Sequence, residues 1–172
     1  MPSFINGQFW VDVFAMSMEH GAFCVTPWCI QESDVAKTYF GYIGAPPNFI
    51  PHSTYYHMQM MSENIKGSYV KMGTNKGFLK ILGSETEDET AVLLMNQSQE
   101  ELYDFDLNLL NKNQSNGLVI TSEIQLKTNY KGTIAPNSTL VLVFNKSGAV
   151  KKQTTYTVEM ARNDKAPETI TY

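Results

Sequence analysis

The pattern of apolar residues changes period near Gly67. Before that point the chain reads as a helix, a buried strand, a long loop and a second helix; beyond it almost every segment alternates with a period of two, as half-buried β-strands do. One strand between two helices cannot close a hydrophobic core by itself. Residues 1–67 therefore read as the last piece of a larger α/β structure, and residues 68–172 as a complete antiparallel β-sandwich. The expected fold class is mainly β, with a partial α/β segment in front.

In the first part, Asn6 is a candidate N-cap, and Phe9, Trp10, Val13 and Phe14, with Met16 and Met18 nearby, form an apolar stripe ending at His20 and Gly21. Residues 22–30 are almost continuously apolar, the pattern of a strand buried on both faces in a parallel sheet, with Pro27 interrupting its ladder near the end. Residues 31–51 mix Gly41, Gly44, Pro46, Pro47 and Pro51 with Tyr39, Phe40, Tyr42 and Phe49, which reads as a long ordered loop. His52 or Ser53 can cap a second helix reaching Lys66, with Thr54, Met58, Met61 and Ile65 on one face and Gly67 as its stop.

In the second part, Tyr103, Phe105, Leu107 and Leu109 alternate with Asp104, Asp106 and Asn108, as one wet and one dry face require. Leu140, Leu142 and Phe144 interleave with Val141 and Val143; Tyr156, Val158 and Met160 interleave with Thr155, Thr157 and Glu159. Residues 78–82, 91–95, 118–122 and 124–127 are further candidate strands, and turn-rich breaks separate them at the short spacing of an antiparallel sandwich. Residues 161–172 read either as a polar tail or as a last edge strand.

Composition narrows the function classes. With 42% apolar residues in 172 the chain can bury a core, and a net charge of −4 with Lys151-Lys152 as its one short basic run argues against a nucleic-acid surface. No apolar run approaches the ~18 to 20 residues of a membrane helix, and no basic-then-apolar export signal opens the sequence. Cys24 and Cys29 would point to opposite faces of a strand, so they read as two buried free thiols. No set of three or four convergent His, Cys or acidic residues marks a metal centre, and no motif for a hydrolase triad, nucleotide or dinucleotide is present, so no cofactor is expected.

A strand followed by a long aromatic loop and a helix is the repeating unit of a (β/α)8 barrel of the TIM type, whose functional residues lie at strand C-termini and on the following loops. Trp28 occupies that position, where an indole can stack on a sugar ring; it reads equally as core. Gln31 and Glu32, with Asp34, open the loop and can bond hydroxyls of a polar ligand, or serve as solvated loop residues and caps. Tyr39, Tyr42 and Phe49 can extend an aromatic wall, or pack the loop on its own scaffold. Glycoside hydrolysis needs two carboxyl groups about 5 to 10 Å apart. The acidic run Glu85, Glu87, Asp88, Glu89 and the pair Asp104, Asp106 read instead as solvated surface. Asn-x-Ser/Thr triplets start at Asn96, Asn113, Asn137 and Asn145, and matter only in a secreted eukaryotic chain.

Val25-Thr26-Pro27-Trp28, Phe40-Gly41-Tyr42-Ile43-Gly44, Pro51-His52-Ser53-Thr54-Tyr55-Tyr56 and Ile65-Lys66-Gly67-Ser68-Tyr69-Val70 follow one another in the order of a last barrel strand, its loop, the last helix and a crossing into a sandwich. With the run from Ile134 to Phe144 they resemble the C-terminal part of retaining glycoside hydrolases of the β-agarase and β-porphyranase group, with heparanase-like and xylosidase-like enzymes behind it. The resemblance implies a polysaccharide or oligosaccharide as partner, export to the periplasm or medium, and substrate contact at Trp28. It also implies that the acid/base and nucleophile carboxylates come from earlier strands, so neither catalytic residue has a counterpart in these residues.

The leading expectation is a non-catalytic portion of such an enzyme, with residues 1–67 ending the barrel and residues 68–172 supporting it. An independent carbohydrate-binding module and a self-associating structural subunit, a homo-oligomer, are the alternatives, since an orphan barrel strand must pair with something.

Overall fold

The computed structural model describes residues 2–27, 29–31, 41–109 and 128–172. The protein is mainly β, and its sheets are antiparallel. Helix α1 (Pro2–Glu19) and helix α2 (Ser53–Asn64) precede eight strands: β1 (Ser68–Val70), β2 (Leu79–Glu85), β3 (Glu89–Asn96), β4 (Tyr103–Leu109), β5 (Thr128–Ile134), β6 (Ser138–Asn145), β7 (Val150–Thr157) and β8 (Glu168–Thr171). A short helix α3 (Val158–Arg162) separates the last two. One sheet has the order β1-β2-β3-β6-β7-β8, and β4 pairs with β5 in a second.

The central strands explain the layering. In β3 and β6 every second side chain faces one way: Val92 and Leu94 lie beside Leu142 and Leu140, whereas Ala91 and Leu93 lie beside Val143 and Val141. The first set packs with Leu107 and Leu109 of β4 and Ile134 of β5; the second packs with Phe4 and Val11 of α1 and Met60 and Met61 of α2. The six-stranded sheet therefore lies between the β4–β5 pair and the two helices, with a hydrophobic core on each side. Strands covered on both faces must be apolar at every position, which is why β3 and β6 have no polar alternation. In β4, with one covered face, Asp104, Asp106 and Asn108 are exposed, as the alternation predicts.

Helix α1 begins at Pro2 rather than at Asn6, and the face it buries is not its most apolar one. Phe4, Gly7, Gln8 and Val11 are buried, while Phe9, Met16 and Met18 of the expected stripe are exposed. Close approach selects the face: a Cβ on Gly7 would lie 2.9 Å from Cγ and 3.0 Å from Cε1 of the His57 ring on α2. Alanine in a helix interior ordinarily gains ~0.5–1 kcal/mol over glycine. Here the sign should reverse, because the His57 ring is completely buried and held at both nitrogens. Gly7→Ala is expected to cost about 1–3 kcal/mol, read as a lowered melting temperature; a raised one would show that the helices can part without loss.

Helix α2 buries Thr54 and Met61 as expected, and Met58 and Ile65 pack against the same core; Ser53, His57, Met60 and Asn64 widen that face. The helix closes at Asn64, short of the expected Lys66, and Gly67 follows at φ +77°, a conformation that favours glycine. The expected strand alternation of Val158 and Met160 gives way to α3, because Thr157 accepts a hydrogen bond from the Met160 amide at 3.2 Å and so caps a helical turn. The C-terminal residues form the edge strand β8. The strands expected at 118–122 and 124–127 lie outside the described residues.

Residues 22–27 and 29–30 contain no strand, which corrects the expectation of a buried one. Phe23 is fully exposed, Ile30 is 71% exposed, Cys24 is exposed and Cys29 is half-buried, so the thiols are free but not both buried. A strand is defined by its ladder, and the pairing found here is a single parallel bridge from Gln31 to Ile43.

Candidate functional site

Of the residues singled out in the sequence, Gln31 and Tyr42 are brought together; Trp28, Glu32, Asp34, Tyr39 and Phe40 lie outside the described residues. Ile43 anchors the arrangement, bridging Gln31 on one side and Pro51 on the other. The Tyr42 amide donates to the carbonyls of Cys29 (3.2 Å) and Ile30 (3.0 Å), and the Ile43 amide to Ile30 (3.0 Å). The Tyr42 carbonyl accepts from the His52 amide at 2.8 Å. These bonds lay the loop against the start of α2.

The helix start holds the loop in return. The Gly41 carbonyl accepts from the Thr54 hydroxyl at 2.8 Å and from Nδ1 of His52 at 3.0 Å. Gln31 is exposed, and Tyr42 is half-buried with its phenol pKa pushed above the ordinary value by that burial. At neutral pH Tyr42 is therefore a hydrogen-bond donor rather than a phenolate.

The loop continues into a turn in which the Gly44 amide donates to Ile50 (2.8 Å) and the Phe49 amide to Ala45 (3.3 Å). Phe49 has φ +46° and is 49% exposed. Its positive φ is a feature that no local sequence rule supplies, since phenylalanine rarely adopts it.

Comparison with protein-family models, with curated proteins and with solved structures finds no match for the chain. What the site can do rests on its own chemistry: hydroxyl and amide donors on Tyr42 and Gln31, and an exposed aromatic ring on the same loop. Among the described residues no group of three His, Cys, Asp or Glu side chains converges on a metal-sized site, and no helix is long and apolar enough to cross a membrane.

A buried polar chain that sequence reading missed lies between the helices and the sheet. Nε2 of Gln8 donates to the Ser138 carbonyl (3.1 Å) and to Oγ1 of Thr139 (3.3 Å). The Thr139 hydroxyl donates to Nε2 of His57 at 2.8 Å, and Nδ1 of His57 donates to the Ser53 carbonyl at 2.8 Å. The neutral imidazole thus has one donor and one acceptor, both used. Burial holds its pKa down at about 4. Though Ser53 Oγ lies 3.0 Å from Nδ1, both residues are buried within α2, so this contact offers nothing to a substrate.

The acidic run lies at the β2–β3 turn, where Asp88 pairs with Lys146 at 3.3 Å and Glu89 with Lys151. Of the Asn-x-Ser/Thr triplets, those at Asn96 and Asn137 have buried asparagines, which closes them to modification in the folded chain. The Asn145 carboxamide accepts from the Ser147 and Ala149 amides in the β6–β7 turn, and Asn113 lies outside the described residues.

Proposed function

We propose that this chain is the non-catalytic C-terminal portion of a polysaccharide-degrading glycoside hydrolase of the β-agarase/β-porphyranase type. In this reading β1–β8 form the supporting β-sandwich, and α1 through α2 supply the last unit of a (β/α)8 barrel. The observation that carries it is that α1 is apolar on two opposite sides. Ile5, Phe9 and Met16 fall within about 40° of one another at 100° per residue, roughly opposite Phe4, Gly7 and Val11. They are 47%, 54% and 57% exposed. A helix with two apolar sides belongs between two hydrophobic layers, and the sheet is one of them.

The exposure of Phe23, Cys24 and Ile30 supports the same reading for the segment 22–30. It has the composition of a strand buried on both faces, and further parallel strands would supply both the ladder and the cover it lacks here. The catalytic carboxylates then come from earlier barrel strands, and the proposed contacts to a polysaccharide or oligosaccharide are Trp28, Gln31, Glu32 and Tyr42. Export follows from a polymeric substrate that cannot enter a cell.

The exposed stripe also favours one alternative, in which a second copy of the chain covers it. The isolated chain should bind a hydrophobic dye, and lysine at both Phe9 and Met16 should reduce that signal several-fold while leaving the melting temperature within a few degrees. Light scattering separates the two readings: a monomer that binds dye supports the barrel portion, whereas a dimer that the double substitution dissociates supports self-association. A chain that binds no dye would overturn both.

A further inference from the structure

The loop at Phe49 presents an apolar ring to solvent from a backbone conformation that phenylalanine avoids. A non-glycine residue in the left-handed region is uncommon, and such residues cluster where a site requires them. Glycine or asparagine would relieve the backbone, and a polar residue would relieve the exposure; phenylalanine does neither. Phe49 belongs to neither hydrophobic core.

The loop is also held from several directions. Gly44 to Ile50, Phe49 to Ala45, His52 to Tyr42 and the Ile43–Pro51 bridge fix the turn, and the Gly41 bonds tie its base to α2. An exposed ring on a held loop loses little conformational entropy when a ligand covers it. Ile50, the next residue, is also partly exposed and enlarges the apolar surface.

We propose that Phe49 is a stacking platform for a pyranose ring of the polysaccharide, contacting the sugar's C–H face while Gln31 and Tyr42 on the same loop system supply hydrogen-bonding groups. The ligand class rests on the glycoside hydrolase reading; the platform itself rests on the conformation and exposure of Phe49. An aromatic face suits the apolar side of a pyranose, and losing it is expected to weaken binding roughly two- to tenfold.

The test is affinity electrophoresis of the full chain in native gels cast with and without soluble agarose, using Phe49→Ala, Phe49→Gly and Phe49→Tyr beside the unaltered chain, each melted in parallel. The expected result is retardation of the unaltered chain and of Phe49→Tyr, with roughly two- to tenfold weaker binding by Phe49→Ala and Phe49→Gly and melting temperatures preserved. Phe49→Gly separates backbone from ring: it removes the conformational cost and should still lose binding. Retardation undiminished in Phe49→Ala would overturn the platform and leave the polysaccharide reading intact. An unaltered chain that agarose does not retard would overturn the platform together with the agarose-type ligand on which it rests.

Discussion

Met61→Asp is expected to leave the chain largely unfolded at neutral pH. Met61 is 6% exposed and lies in the core shared by α2, α1 and the sheet, so the substitution removes an apolar side chain and places a carboxylate among Phe4, Leu93, Val141 and Tyr156. Losing the methionine alone costs about 2–5 kcal/mol, and an unpaired buried charge adds several more. Against a total stability of roughly 5–15 kcal/mol, that is most or all of it. Met61→Leu, which keeps volume and polarity, should cost less than ~1.5 kcal/mol. Urea denaturation followed by circular dichroism checks both. An unchanged midpoint for Met61→Asp would mean that the helices do not share a core with the sheet.

Acid should destabilise the fold through His57. Its pKa is held down from 6.5 to about 4 because burial penalises the imidazolium, while the Ser53 carbonyl opposes this only in part. The unfolded chain therefore binds a proton between pH 6.5 and 4 that the folded chain does not. Stability is complete above pH 6.5, declines as the pH falls, and levels off near 4, a loss on the order of 3 kcal/mol. Asp12 acts in the opposite sense: burial raises its pKa, so the folded chain holds its proton more readily and acid favours the fold there. Urea midpoints measured from pH 7.5 to 4 should fall most steeply near pH 5, and His57→Gln, though less stable throughout, should flatten that slope. An equal slope in both chains would place the acid sensitivity elsewhere.

The sheet was legible in the sequence wherever burial sets composition directly. β3 and β6 are apolar without interruption over residues 91–95 and 140–144 because both their faces are covered there, and β4 alternates because only one is. The contact face of α2 was legible for the same reason. Helix α1 was not, because it is apolar on two sides, and the choice between them is made by Gly7 and Gln8, a residue without a side chain and a polar one. Gln8 finds its acceptors on β6, more than a hundred residues away, a relation that no local window contains.

The alternation at Val158 and Met160 was overridden by a cap, since the Thr157 hydroxyl can accept a bond only if the chain turns there. Within the candidate site, the segment identities were legible but not the bridges that join Gln31, Ile43 and Pro51. The conformation of Phe49 left no trace in its residue type. Residues 22–27 and 29–30 show the converse: their apolar composition predicts burial, yet Phe23, Cys24 and Ile30 are exposed.

The most direct measurement is to sequence the DNA upstream of the Met1 codon and translate the frame that runs into it. The barrel reading predicts an in-frame extension of several strand–helix units, with two carboxylates at strand ends that can serve as acid/base and nucleophile. A stop codon followed by a start signal at Met1 would contradict it and leave a self-contained module whose exposed α1 face must be covered by another molecule.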